Sequence, residues 1–314
     1  MDISASSIEN DVKMLGHFAA LFSALMWGMA FVSSKVLLQY FEPVEVLFIR
    51  LGIGFLALFV ICPHLLHIKD RRQEIWFAAA GLTGMCIYYL MENISLTYTS
   101  SANVCVIVSM SPFFTAIIMH LLYRDNHLGW SFFLGFVMAI IGISAISFSG
   151  QEMQLNQLGD LIALGAAVMW SIYCVILGKI GTFGYNPLQT TRRTFGYGLL
   201  FLLPVIAVTG FNPDLNDLAQ PEVIAHFVFL GVVTFALCFA TWGYATRHLG
   251  AVDTSVYMYL MPVITLIGGA LLLDENVTVL SVAGVVLTID GLLVSELLGR
   301  KDGEDPFVIE GEKD

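Results

Sequence analysis

Residues 23–30 read SALMWGMA, and residues 166–173 read AAVMWSIY. Both stretches lie inside long apolar segments, and their tryptophans, Trp27 and Trp170, are separated by 143 residues. The recurrence of a rare residue in the same local setting indicates an internal duplication.

The composition indicates a membrane protein. Of the 314 residues, 57% are hydrophobic and 12% are charged, whereas soluble domains carry about 25% charged residues. Polar groups are too few to cover a surface that faces water, so most of the exterior must face lipid. The net charge of −11 comes without a basic stripe, which argues against nucleic acid as a partner.

Ten apolar segments are long enough to cross a bilayer, because a helix of about 20 apolar residues spans the hydrocarbon layer. They are residues 15–37, 43–62, 74–94, 101–123, 127–149, 158–180, 187–209, 222–244, 251–273 and 277–298, with edges uncertain by a few residues. Lys and Arg concentrate in alternate loops, which predicts that both termini are cytoplasmic. The predicted fold class is an all-α membrane protein of ten transmembrane helices.

The repeat divides the chain into two halves and two tails. The predicted parts are a cytoplasmic N-terminal tail (1–14), a first five-helix repeat (15–149), a second five-helix repeat (158–298) and a cytoplasmic C-terminal tail (299–314). Because each unit crosses the membrane an odd number of times, the second copy must be inverted relative to the first. Inverted repeats are typical of secondary transporters, whose substrate site lies between the halves near the midplane.

Several motifs recur in a fixed order along both halves. They are Trp27-Gly28, the Pro43…Arg50 and Pro187…Arg193 pairs, LTYTSSANVC before Pro112, ATRHLGAVDT before Pro262, and LLLDEN before the last segment. Together they resemble the EamA-type branch of the drug/metabolite transporter (DMT) superfamily over residues 15–298. The resemblance implies two inverted five-helix repeats around a central cavity, and the export of small metabolites, often amino acids. Arg124-Asp125 departs from the family pattern, which has a glutamate followed by a basic residue.

The candidate site residues combine aromatic, hydroxyl and charged side chains inside apolar segments. The predicted substrate-cavity residues are Trp27, Trp170, Tyr173, Ser109, Tyr259, Arg50, Arg193, Glu92 and Asn93; Pro112 and Pro262 are candidate hinges, and Asp290 is a candidate coupling residue. Charges within a membrane cost about 2.5–3.5 kcal/mol each and are functional by default. Ordinary helix packing and snorkelling of the arginines to the headgroups stay open as alternatives.

The predicted function is secondary active transport of small metabolites by alternating access, in the inner (plasma) membrane of a bacterium. The expected partners are a small-molecule substrate, the lipid bilayer and protons as a coupling ion, with the chain a monomer or a homodimer. Enzyme motifs such as H-E-x-x-H, G-x-S-x-G and the P-loop do not occur, so we expect no enzyme activity, no metal and no cofactor. Two other classes stay open: an intramembrane enzyme acting on lipid-linked substrates, and a non-transporting scaffold.

Overall fold

The computed structural model describes residues 3–123, 129–147, 153–249, 254 and 256–299, and helices form all the regular secondary structure in these ranges. The helices are α1 (Ile3–Leu37), α2 (Pro43–Ile61), α3 (Arg71–Tyr98), α4 (Ser101–Val108 and Ser111–Tyr123), α5 (Trp130–Ser147), α6 (Met153–Gly181), α7 (Pro187–Thr209), α8 (Pro221–Val228, Phe229–Leu237 and Cys238–Leu249), α9 (Val256–Leu260 and Met261–Leu272) and α10 (Val279–Gly299). Arg124, Asp125 and the C-terminal tail from Arg300 onward lie outside the described residues.

Six of these helices are long and apolar enough to cross a membrane, by length and composition. They are Val12–Leu37, Pro43–Ile61, Arg71–Tyr98, Ser101–Leu122, Gln157–Gly181 and Pro221–Thr246. Three shorter apolar helices cover Trp130–Ile146, Tyr257–Leu272 and Val279–Ser295. The all-α class is therefore confirmed for the described ranges. The helix α1 begins at Ile3, so the polar stretch before residue 15 extends the helix.

The first helices of the two halves, α1 and α6, run in opposite directions. The start of α1 lies at the start of α9, where His17 Nδ1 is 2.9 Å from the Tyr257 hydroxyl. The end of α1 lies at the end of α3, where Lys35 Nζ donates to the Thr99 carbonyl. The start of α6 packs on this same end of α3, because Gly159 lies against Tyr98 and Thr99. α1 therefore runs towards the face at which α6 begins.

The two ends of the bundle differ in charge. The acidic face is the end that carries Glu42, Asp214, Asp217, Asp274 and Glu275. The basic face is the opposite end, which carries Lys69, Arg71 and Arg72 around the start of α3. There the Lys69 backbone N–H donates at 2.8 Å to the hydroxyl of Tyr185, which lies in the loop before α7. This separation of charge matches the loop asymmetry seen in the sequence.

The helices α5 and α10 pack backbone against backbone through glycines. A Cβ atom on Gly291 would lie 2.5 Å from the Gly135 carbonyl oxygen, and one on Gly284 would lie 2.5 Å from that of Gly142. Small residues allow this close approach in lipid, where helices associate by van der Waals contact. The glycines shared by the fifth segments of both halves therefore hold α5 and α10 together.

Candidate functional site

Aromatic side chains from both halves form a continuous row in the middle of the bundle, which we call the aromatic belt. The belt comprises Trp27, Tyr88, Tyr89, Trp170, Tyr173, Phe235, Phe239 and Trp242. The ring of Trp27 contacts those of Trp242 and Phe239, at centroid distances of 5.1 and 5.7 Å. The ring of Trp170 lies 4.7 Å from that of Tyr88 and 5.0 Å from that of Tyr173. Both repeated tryptophans therefore face the interior.

Trp27 also binds the backbone of the other half. Its indole Nε1–H donates to the Thr234 carbonyl oxygen at 3.0 Å. Thr234 lies within a π-helical stretch of α8, Phe229–Leu237, where the wider turn changes the intrahelical hydrogen bonding. The equivalent part of α3, Gly81–Tyr88, is also π-helical. Both distortions flank the aromatic belt, because Tyr88 ends one and Phe235 lies in the other.

Arg50 is the largest fully buried side chain among the described residues, with 1% of its surface exposed. Its guanidinium donates to the Ser34 hydroxyl at 2.8 Å and lies 3.4 Å from the Glu92 carboxylate. The guanidinium carbon also sits 4.5 Å from the centre of the Tyr89 ring and 5.5 Å from that of Phe235. Cations are stabilised over aromatic faces. The only cation at the belt within the described ranges is therefore held by one acid, one hydroxyl and two rings.

Two buried polar atoms, one on Arg50 and one on the residue after Glu92, have no hydrogen-bond partner among the described residues. They are Nε of Arg50 and Oδ1 of Asn93, and Asn93 is fully buried. The amide nitrogen of Asn93 donates to the Pro43 carbonyl at 2.9 Å, which joins α3 to α2. A buried polar atom without a partner costs about 1–3 kcal/mol. The Nε–H of Arg50 is therefore a donor that the buried ion pair leaves unused.

Three of the other predicted residues, Arg193, Tyr259 and Asp290, lie away from the belt. Arg193 lies near the basic face, where it pairs with the Glu74 carboxylate. Tyr259 packs with Phe113 and Leu292, towards α5 and α10. Ser109 donates to the Cys105 carbonyl of its own helix at 2.8 Å. Asp290 is exposed on α10. The structure thus brings Trp27, Trp170, Tyr173, Arg50 and Glu92 together, and holds Arg193, Tyr259 and Asp290 elsewhere.

Both candidate hinge prolines follow an irregular point in their helix. The α-helical pattern of α4 is interrupted at Ser109 and Met110, immediately before the segment that contains Pro112. Helix α9 starts as a 3₁₀ helix, Val256–Leu260, and becomes α-helical just before Pro262. A proline cannot donate to the carbonyl four residues earlier. In α4 the Ser111 hydroxyl donates to that carbonyl, of Val108, at 2.5 Å.

A model of the EamA-like transporter family matches residues 14–148 and again residues 157–296. The chain belongs to the EamA-like transporter family. The double match agrees with the two-repeat organisation indicated by the tryptophans.

Relatives of this EamA-like chain are named as transporters. An uncharacterized transporter of Archaeoglobus fulgidus is 26% identical over 85% of this chain and 94% of its own length. YyaM of Bacillus subtilis, also named a transporter, is 27% identical over 87% and 90%. A probable terminal-alkyne amino-acid exporter of Streptantibioticus cattleyicolor is 24% identical over 90% and 95%. A solved crystal structure shares the fold at a TM-score of 0.62 and 16% identity, over 92% of this chain and 99% of the other.

The two halves of the EamA-like chain are bridged at both faces. At the acidic face Glu275 of the second half accepts hydrogen bonds from Lys35 at 2.9 Å, and from the backbone and hydroxyl of Ser101 at 2.8 and 2.9 Å. At the basic face Glu74 of the first half pairs with Arg193 and accepts from the Tyr197 hydroxyl at 2.8 Å. The belt lies between these two bridges.

Sequence reasoning missed part of this site. Tyr88, Tyr89, Phe235 and Ser34 were not predicted, although all four contact Arg50 or the belt. The two π-helical stretches carry no sequence signal beyond glycines such as Gly84. A signal for Tyr88 and Tyr89 existed, because Tyr88 precedes Glu92 by one helical turn. Counting one helical turn back from the predicted carboxylate of Glu92 would have identified Tyr88.

Proposed function

We propose that this EamA-like chain is a secondary active transporter that exports small metabolites, amino acids or related compounds, by alternating access between inverted five-helix halves. In this proposal ten helices cross the bacterial inner membrane and both termini are cytoplasmic, because the basic face carries the exposed Lys and Arg loops. The observation that carries the proposal is the buried Arg50–Glu92 pair, which lies among aromatic rings from both halves.

The chemistry of this site suits a small solute with both charged and apolar parts. The Arg50 guanidinium offers an unused donor to a carboxylate, and Glu92 offers an acceptor to an ammonium group. The rings of Tyr89, Phe235 and Trp170 would contact an apolar side chain. The exporter of S. cattleyicolor is named for an amino-acid substrate, which is consistent with this proposal.

The bridges at the two faces support alternating access. Lys35–Glu275 and Glu74–Arg193 each join one half to the other, at opposite ends of the belt. Opening towards either side then requires that one bridge separates while the other holds. Partly exposed ion pairs contribute about 0–1 kcal/mol, so each is weak enough to open at a modest cost.

Reconstitution into proteoliposomes tests the proposal. Proteoliposomes that contain the purified chain are loaded with a panel of labelled amino acids and neutral analogues, with and without a pH gradient across the vesicle membrane. We expect counterflow of at least one zwitterionic or anionic amino acid, and its loss in Arg50→Gln. The matched control is Arg71→Gln, because Arg71 is exposed at the start of α3. Equal flux in Arg50→Gln and the wild type would remove the belt as the substrate site.

A further inference from the structure

A concave site lies outside the belt, between α2 and α7 near the basic face. Its volume is about 290 Å³. One wall is a stripe of α7 residues, Gln189, Arg193, Gly196 and Leu200. These residues are three or four positions apart and therefore share one face of the helix. Phe55, Phe59, Leu65 and Leu66 close it from the other side. The wall is thus mainly apolar, with cationic groups at one end.

The walls of this pocket open towards lipid. Leu200 is 55% exposed and Phe59 is 38% exposed, and in a membrane protein such apolar surface faces acyl chains. The floor is shallow because Gly196 has no side chain; a Cβ there would meet only the Phe55 ring, at 3.4 Å. An extended hydrocarbon chain therefore fits along the stripe from Gly196 to Leu200.

The charge at the end of the pocket nearest the basic face is positive. Arg192 is 4% exposed, and its guanidinium donates to the carbonyls of Cys62 and His64 and lies 4.5 Å from the Phe59 ring centre. No carboxylate pairs with it in the described part of the chain. Arg193 is neutralised by Glu74, so the site keeps an excess positive charge. Two exposed cations around the start of α3, Lys69 and Arg71, add to this positive charge.

Arg192 is not required by the repeat. The position 143 residues earlier is Ile49, which packs against the apolar cluster around Leu37 and Phe227. The first half therefore has no second arginine at the equivalent place. A cation that breaks the internal symmetry has a role specific to the second half and to the basic face.

We propose that this pocket is a binding site for an anionic phospholipid of the leaflet at the basic face. The headgroup phosphate lies at Arg192 and Arg193, and one acyl chain follows Phe59, Gly196 and Leu200. Basic pockets between membrane helices on the cytoplasmic side bind anionic headgroups. The site is separate from the belt and does not depend on the transported substrate.

Native mass spectrometry and thermal unfolding of the delipidated full chain in mild detergent test the proposal. The probes are phosphatidylglycerol, phosphatidylcholine with the same acyl chains, and inorganic phosphate. We expect phosphatidylglycerol to bind about tenfold tighter than phosphatidylcholine and to raise the melting temperature. Equal binding of both lipids, or displacement of phosphatidylglycerol by millimolar inorganic phosphate, would overturn it.

Two variants locate the bound lipid. Gly196→Leu fills the pocket without removing a charge, and we expect it to weaken phosphatidylglycerol binding about fivefold or more; Gly196→Ala is the matched control and keeps the binding. Arg192→Gln is expected to abolish the preference for the anionic headgroup. Because Arg192 also caps the end of α2, the glycine pair decides the outcome if Arg192→Gln does not fold. Unchanged lipid binding in Gly196→Leu contradicts the proposal.

Discussion

At the scale of single residues, the buried pair of Arg50 and Glu92 determines the chemistry of the belt. Each side chain is nearly inaccessible, and their closest atoms are 3.4 Å apart. Removing one partner from a buried pair leaves an uncompensated charge and costs about 3–5 kcal/mol, whereas replacing both is far less costly. The pair is therefore expected to be sensitive to single changes and tolerant of the double change.

Arg50→Gln should destabilise the chain and abolish transport, because Glu92 then stays buried without its cation. We expect a loss of about 3–5 kcal/mol in unfolding free energy, measured by thermal or denaturant unfolding in detergent. The double variant Arg50→Gln with Glu92→Gln should recover part of the stability but no transport. Recovery of transport in the double variant would show that the charges are structural only.

Asp290 tests the coupling prediction at a place remote from the belt. It is exposed on α10, a helix whose main packing partner is α5. The prediction that Asp290 couples transport to protons requires that Asp290→Asn lowers flux driven by a pH gradient but not substrate counterflow. Undiminished proton-dependent uptake in vesicles would remove Asp290 from the mechanism.

At the scale of elements, close helix contacts and π-helical stretches shape the bundle. The glycine contact between α5 and α10 leaves no room for a methyl group. The π-helical stretches of α3 and α8 face the belt, and the Trp27 bond to Thr234 anchors one of them to α1. The helices α5 and α10 are thus closely packed on each other, while the helices around the belt carry local irregularities.

Gly291→Ala should separate α5 from α10, because its Cβ would lie 2.5 Å from the Gly135 carbonyl oxygen. Overpacking of this kind costs about 1–3 kcal/mol, and thermal unfolding measures it. The matched control is Gly178→Ala in α6, where a Cβ has nothing within 4 Å; it should be neutral or stabilising, because alanine favours a helix over glycine by about 0.5–1 kcal/mol. Equal effects of the two changes would rule out the contact.

At the scale of the whole molecule, the two bridges hold the halves together at both ends of the belt. Lys35–Glu275 and Glu74–Arg193 are present at the same time, so each face of the bundle has a contact that joins the two halves. Under the proposed alternating access, removing either ion pair should raise the population of conformations open at that face, and the other face should be unaffected.

Glu275→Gln and Glu74→Gln should therefore act at opposite faces. Hydrogen–deuterium exchange measures this: Glu275→Gln is expected to raise uptake in peptides covering residues 97–103, and Glu74→Gln in peptides covering residues 183–189. Glu222→Gln is a suitable control, because it removes an exposed carboxylate at the start of α8. Raised uptake at both faces in either variant would indicate general destabilisation and contradict independent gates.

The sequence predicted the class of protein and most of the helix positions, because apolar length and charge placement are local properties that lipid enforces. The paired tryptophans, Arg50 and Glu92 were also predicted as site residues, since charged and aromatic groups are rare in apolar segments. The repeat was visible for the same reason: Trp, Pro and Arg recur in order, which apolar composition alone does not produce.

The partners of those residues were decided only by the tertiary structure. Arg50 and Arg193 occupy equivalent repeat positions, yet one lies at the belt and the other pairs with Glu74 near the basic face. Tyr259 was predicted to line the substrate cavity and packs with Phe113 and Leu292, towards α5 and α10. Periodicity gives the side of a helix, but the neighbour across the interface depends on helix rotation and crossing. These follow from close contacts, such as those of Gly84 with Tyr173, that no single segment encodes.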